Sequence, residues 1–480
     1  MNGWRATAVN RRDLFRLMGA GAAAATWVPS LAQAHSQETL PQEFGEASGT
    51  WSAGVPFLET PAEGLRWFNE AKFGMFIHWG PCSLVSVEIS WPIMVPRPQW
   101  NITQEEYVNL YKRFNPVKYD PDEWIDLAEA AGQRYMIPVT KHHDGFCMFD
   151  SSFTDYKITR TPYGKDVIRM LADACHRRGM ALGYYYSPPD MHHPDYRDTS
   201  KPASENWHGE PWRPQWTMYL HYMALQVREL IWRYGQPVEM WFDGLDHQEK
   251  YDGYSFLEML RAMSPHTMVN NRIGVAADFD TPEQYVPKRI PVKGITIRGV
   301  NAAEAEKLPH GIPSLQKFRP WETCMTINNT WAYNRNDRNF KSTRQLIRTL
   351  VDVASRGGNF LLNVGPTPEG TIQPEFQERL RGLGEWMRLN GDSIYGTTFG
   401  PLQELPYGRT TRKGKTVYLH IFDWPQSASV ELEGLPRIGR ISILRDGRPL
   451  KFNQDSQRLS IHLPAQAPDA DVSVLKIEMS

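Results

Sequence analysis

The 480-residue chain predicts an α/β fold: a (β/α)8-like (TIM-type) barrel followed by a small C-terminal antiparallel β-sandwich. Short apolar runs alternate with segments of helical period from about residue 63 to about 398, and that length favours a closed barrel over an open, doubly wound sheet. No glycine-rich phosphate loop follows the first run to support the open sheet. After about residue 400 the texture changes to strand-like alternation punctuated by Gly, Pro and Asp.

The N-terminus carries an address. Arg11-Arg12-Asp13-Leu14-Phe15-Arg16 is followed by an apolar, Ala-rich run from Leu17 to Val28, then by Ala32-Gln33-Ala34 before His35. A basic start, an apolar centre and a small-residue cleavage site in that order predict a twin-arginine export signal over residues 1–34, and a periplasmic or secreted mature protein. Residues 35–62 are polar with scattered Pro and Gly and form a linker or lead-in. No later stretch is apolar over the roughly 18 residues a membrane span needs, so no membrane association is expected after signal removal.

Residues 63–398 form the barrel. Phe73 to His78, Tyr135 to Thr140, Ala181 to Tyr186, Val238 to Phe242 and Asn359 to Asn363 resemble strands buried on both faces. Between them, Trp124, Leu127, Ala128 and Ala131 fall at i, i+3, i+4 and i+7, as do Ile168, Leu171, Ala172 and Cys175. Leu220, Met223, Ala224, Val227, Ile231 and Tyr234 mark a third helix, and Ile347, Leu350, Val351 and Ala354 a fourth. Residues 399–480 form the sandwich, with strands over 416–422, 428–432, 440–444, 458–462 and 472–477.

Lys and Arg number 53 against 54 Asp and Glu, a formal net charge of -1, so no global basic field attracts nucleic acid. Aromatic residues make up 12% of the chain, including 17 Trp and 20 Tyr. Such ring faces either fill the core or hold the C–H faces of sugars. Cys82, Cys147, Cys175 and Cys324 lie far apart without a C-x-x-C pair, which predicts buried thiols rather than a disulfide framework or zinc ribbon.

A barrel gathers its chemistry at the carboxyl ends of its strands. Here those ends read His78-Trp79-Gly80, Lys141-His142-His143-Asp144-Gly145, Tyr186-Ser187, Asp243-Gly244 and Asn270-Asn271-Arg272. Asp243 follows an apolar run directly and precedes a glycine; its carboxylate either projects into a partly desolvated cleft or caps a following helix. Adjacent residues on an extended segment point to opposite faces, so at most one of His142 and His143 could join Asp144 or His78 around an ion; no metal or other cofactor is expected, and imidazole recognition of sugar hydroxyls is the simpler use. His192-His193-Pro194-Asp195 reads as solvated loop, and no H-E-x-x-H, Walker or G-x-S-x-G motif occurs.

Four stretches then carry a resemblance. They run from Trp67 through Phe73-Gly74-Met75-Phe76-Ile77-His78 to Gly80, over Lys141-His142-His143-Asp144-Gly145-Phe146, over Trp241-Phe242-Asp243-Gly244, and from Gly357 through Asn359-Phe360-Leu361-Leu362-Asn363 to Pro366. In colinear order from about residue 55 to 400, they resemble the α-L-fucosidases of glycoside hydrolase family 29. That resemblance implies the barrel-plus-sandwich architecture and metal-independent hydrolysis of terminal α-L-fucose with retention, on a fucosylated oligosaccharide or glycoconjugate. It makes Asp243 the nucleophile, places His78, His142, His143, Tyr186 and Arg272 around the sugar hydroxyls, and sets Trp241 against the sugar's apolar face.

A retaining site needs a second carboxyl about 5 to 5.5 Å from the first. Glu283 matches the segment that carries the acid/base in several relatives, and Glu322 is the alternative. Many relatives have a Glu-Trp pair after the first strand that binds the sugar, whereas Glu88 and Trp91 are separated here by Ile89-Ser90. The competing readings are a glycosidase for a related sugar such as α-L-galactose and a non-catalytic fucose-binding protein. The sequence is also compatible with a homo-oligomer.

Overall fold

The computed structural model describes residues 59–244, 248–275, 277–287, 320–402 and 405–480. The export signal and almost all of the lead-in lie outside the described residues. Helix α1 (Ala62–Ala71) leads into β1 (Phe73–Ile77), β2 is Tyr135–Lys141, and β3 (Ala181–Leu182) and β4 (Tyr184–Tyr186) are one stave interrupted at Gly183. A side chain at Gly183 would meet the Glu239 carbonyl at 2.7 Å, so only glycine lets the neighbouring strand pass so close. Next come β5 (Glu239–Phe242), β6 (Met268–Val269), β7 (Glu322–Thr326) and β8 (Asn359–Val364). All pair in parallel, in the order β6, β5, β4, β2, β1, β8, β7, with β3 also on β2.

An irregular segment closes the ring between β6 and β7. Asp278 N–H donates to the Val269 carbonyl (2.8 Å) on one side, while Glu322 N–H donates to the Asp280 carbonyl (2.9 Å) and Gln284 N–H to that of Cys324 (2.9 Å) on the other. Parallel bridges pair Asn270 with Phe279, Asp280 with Trp321 and Glu283 with Cys324. Residues 278–284 are therefore a further stave, and a (β/α)8 barrel results.

The four helices expected from periodicity are present. They are α2 (Pro121–Ala131), α3 (Val167–Arg178), α4 (Trp216–Tyr234) and, after α5 (Gly253–Met263), α6 (Thr343–Ser355). Local chemistry sets their ends: Asp120 caps α2 by accepting from Asp122 N–H, and Ser342 with Gln345 forms a capping box on α6. A long α7 (Pro374–Asn390) precedes the sandwich.

The sandwich holds β9 (Thr398–Phe399), β10 (Gly408–Lys413), β11 (Thr416–Ile421), β12 (Ser429–Glu433), β13 (Ile438–Ile443), β14 (Phe452–Gln454), β15 (Arg458–His462) and β16 (Ser473–Met479). An antiparallel sheet in the order β13, β16, β11, β10, β9 faces another of order β12, β15, β14 over a separate core that includes Val417, Leu419, Val430, Ile441, Leu459 and Ile477. Against the barrel, Arg409 pairs with Asp352 of α6 (2.6 Å), and the Trp386 indole of α7 donates to the Val472 carbonyl (2.8 Å). All four cysteines are free and buried. No helix among the described residues is long and apolar enough to cross a membrane.

Candidate active site

The strand ends converge on a buried polar pocket. His78 follows β1, and its Nδ1–H donates to Asn363 Oδ1 at the end of β8 (2.7 Å); the Asn363 amide is oriented by its own donation to the Trp331 carbonyl (2.7 Å). Burial pushes the His78 pKa down to about 4, against the opposing pull of Asn363 and Asp243. The imidazole is therefore neutral near pH 7, with Nε2 a bare acceptor suited to a hydroxyl.

His142 and His143 follow β2 and are braced from behind. His142 Nδ1 meets Ser90 Oγ (2.7 Å), which also accepts from Asp144 N–H (2.8 Å). The Tyr107 hydroxyl donates to the Asp144 carboxylate (2.8 Å) and accepts from Ser90 N–H (2.6 Å). Burial, and then the neighbouring His143, hold the His142 pKa well below the usual imidazole range. Ser187 donates to the Pro189 carbonyl (2.9 Å), so its oxygen accepts from His143 Nδ1–H (2.5 Å). His143 Nε2 lies 3.5 Å from Asp243 Oδ2. The turn behind the pair needs Gly145, at φ 83°, where a side chain would collide with the Asp190 carboxylate.

Asp243 closes β5 at the pocket. Its Oδ1 accepts from Arg272 Nη1 (2.8 Å) and its Oδ2 from the Tyr185 hydroxyl (2.8 Å), so the carboxylate faces the site rather than capping a helix. Burial pushes its pKa up, but Arg272, His143 and these hydrogen bonds outweigh burial and leave it below the usual carboxylate range, as a nucleophile needs. Arg272 reaches Glu283 Oε2 through Nη2 (3.2 Å) and is itself fixed by Thr281, through Nε to Oγ1 (2.8 Å) and Nη2 to the carbonyl (3.0 Å). One guanidinium thus bridges the two carboxylates, and Glu283 sits on the irregular closing stave.

Other expected residues land differently. Tyr186 is a correction: its hydroxyl donates to Gln226 of α4 (2.8 Å), on the outer face of the barrel, and it is Tyr185 that reaches Asp243. Side chains alternate along a strand, and Tyr185 is in register with Trp241 while Tyr186 is in register with Phe242. Trp241 is 2% exposed, with Tyr185 stacked on it (5.6 Å, 17°) and the Arg272 guanidinium 4.8 Å from its ring centre. It supports the groups above it and presents little open face. Glu88 accepts from the N–H groups of Trp331 (2.9 Å) and Ala332 (3.0 Å), which ties down the loop that packs Trp331 against His78 (4.8 Å). Trp91 is half-buried at the start of a short helix, Trp91–Met94.

Glu322 opens β7 at the amino end of the barrel and is fully buried, accepting from the Tyr135 hydroxyl and from Trp241 Nε1 (3.2 Å). Burial raises its pKa to about 8, and burial together with Glu322 raises that of Glu239, whose carboxylate oxygens have no partner among the described residues. Sequence reasoning missed Tyr185, Trp331, Asn363 and Ser90, and named Ser187 only as a strand end; the pairing of Tyr185 with Trp241 is the signal that finds the first. The expectation that His142 and His143 point apart is corrected: both lie past the end of β2 rather than on the extended strand, and they and Asp243 each offer one atom within 4.8 Å of the others, although Asp243 already has Arg272 as its counter-charge.

The Alpha-L-fucosidase family model matches residues 58–392, and the Alpha-L-fucosidase C-terminal domain model matches 403–478. The chain belongs to the alpha-L-fucosidase family. Within it, the tissue alpha-L-fucosidase of Macaca fascicularis is 30% identical over 432 residues, covering 84% of this chain and 86% of the relative. Alpha-L-fucosidase isoenzyme 1 from Paenibacillus thiaminolyticus is 36% identical with a TM-score of 0.76, covering 87% of this chain and 99% of that structure. The Thermotoga maritima alpha-fucosidase, solved with a mechanism-based inhibitor, is 30% identical with a TM-score of 0.69, covering 86% and 96%. The family match spans every pocket residue from His78 to Asn363.

Proposed function

We infer that the protein is a retaining exo-α-L-fucosidase that removes terminal α-L-fucose from fucosylated glycans. The observation that carries the reading is that Asp243, held ionised by Arg272 and the Tyr185 hydroxyl, and Glu283 both reach one guanidinium, which gathers at the pocket the two carboxyl groups that retaining hydrolysis needs. Asp243 attacks the anomeric carbon as the glycosidic C–O bond breaks, and Glu283 gives its proton to the departing oxygen. Glu283 then takes a proton from water, whose oxygen attacks the same carbon and releases Asp243. The neutral His78 accepts from a sugar hydroxyl, while His142 and His143 line the same wall. Asp243→Gly should abolish turnover of an aryl α-L-fucoside, with azide restoring part of the rate as the inverted fucosyl azide. Full activity in that variant would refute the assignment.

We also propose that the enzyme works outside the cytoplasm, delivered by the twin-arginine signal at Arg11-Arg12 and released after Ala34. Lys-Lys in place of Arg11-Arg12 should leave activity in the cytoplasmic fraction, while the native chain delivers a shortened product to the periplasm or medium. Equal export of both would contradict the route.

A further inference from the structure

Beneath the reacting carboxylates lies a chain of contacts that the hydrolytic steps do not use. Glu239, Trp241 and Asp243 alternate along β5 and its end, so all three face the barrel interior at successive depths. Trp241 is buried, and a buried indole N–H needs an acceptor; Glu322 Oε1 supplies it at 3.2 Å. Glu322 is held in turn by the Tyr135 hydroxyl. Over the Trp241 ring, 4.8 Å from its centre, lies the guanidinium of Arg272, whose two terminal nitrogens hold Asp243 and Glu283.

We propose that Glu322, resting on the hydrolase reading above, is a positioning residue: by accepting the Trp241 N–H it fixes the ring that carries Arg272, and so sets where both carboxylates stand. The role differs from that of an acid/base, since Glu322 touches neither substrate nor reacting atoms. Its requirement is an acceptor oxygen in that place, which a glutamine amide provides and a leucine does not. The Tyr135 hydroxyl can accept from the amide N–H₂ in the glutamine variant, so E322Q keeps both contacts. An ångström of misplacement at the reacting groups costs about 100-fold in rate, so the loss falls on kcat more than on KM.

The experiment measures kcat and KM on an aryl α-L-fucoside, with thermal melts, for the full mature chain and for E322L, E322Q, W241F and E322L/W241F. Wild-type turnover comes first, because its absence would overturn the fucosidase reading and this inference with it. The expected result is a ~10- to 100-fold lower kcat in E322L and in W241F, a double variant no worse than the poorer single one, and recovery in E322Q to within about threefold of wild type. Three results would overturn the inference while leaving the fucosidase reading intact: E322L at wild-type kcat, losses that multiply in the double variant, or E322Q as inactive as E322L. The last would mean that the Glu322 carboxyl is needed for more than its acceptor oxygen. Should E322L fail to fold, E322Q and W241F decide: recovery in the first with kcat loss in the second sustains the inference, and any other pair of results overturns it.

Discussion

The Tyr185 hydroxyl donates to Oδ2 of Asp243 at 2.8 Å, leaving Arg272 to serve Oδ1 at the same distance. Each oxygen of the nucleophile therefore has its own donor, and the carboxylate cannot rotate without losing one. A hydrogen bond to a charged group contributes about 1.5–3 kcal/mol, so Tyr185→Phe should lower kcat/KM by ~10- to 100-fold. Tyr186→Phe, which loses only the bond to Gln226, should stay within about threefold of wild type. Steady-state rates on one aryl fucoside check both, and the opposite ranking would return the role to Tyr186.

Arg272 is the only guanidinium bridging the two carboxylates among the described residues, and lysine cannot make that fork. Arg272→Lys should cut kcat/KM by at least ~100-fold, since the compact ammonium serves one carboxylate at a time. The acidic limb of the rate profile should also move upward. In the native enzyme Arg272 opposes the effect of burial and holds the Asp243 pKa below the ordinary value of about 3.9, so weakening it lets protonation begin at higher pH. A pH–rate profile with an unmoved acidic limb would contradict this account of the ionised nucleophile.

Glu283→Ala removes the proton donor while leaving Asp243 in place. Turnover of an aryl fucoside with a good leaving group should fall far less than turnover of a fucosylated oligosaccharide, because only the latter needs its departing oxygen protonated. Equal losses on both substrates would point to another acid.

Glu322 and Glu239 make stability depend on pH in a defined sense. The Glu322 pKa is about 8 in the fold, against an ordinary value of about 4.3 for an unfolded chain. A raised acid pKa contributes stability that is fully present below the unfolded value and is lost as pH rises through the folded one. Thermal melts of the native protein should therefore weaken relative to E322Q between about pH 5 and pH 9, since glutamine does not titrate. Parallel curves would mean that the floor of the barrel carries no such proton.

Much of this site was legible from residues at strand ends. His78, His142, His143, Asp243 and Arg272 each follow a short apolar run, and a parallel barrel brings such ends together whatever its details. Tyr185 was hidden because three tyrosines stand in a row, and only the register against Trp241 shows which one faces inward. The closing stave over 278–284 has neither a sustained apolar run nor a period of two, because its backbone pairs irregularly with β6 and β7. Glu322 reads as an ordinary strand-start carboxylate until its partners, Tyr135 and Trp241, arrive from distant strands. Asn363 and Trp331 likewise become functional only through His78, which lies far away in the chain.

The central claim is that Asp243 forms a bond to the anomeric carbon. Incubation with 2-fluoro-fucosyl fluoride, followed by proteolysis and peptide mass analysis, should find one fluorofucosyl group on the peptide that contains Asp243. A label on any other residue, from an active preparation, would contradict it.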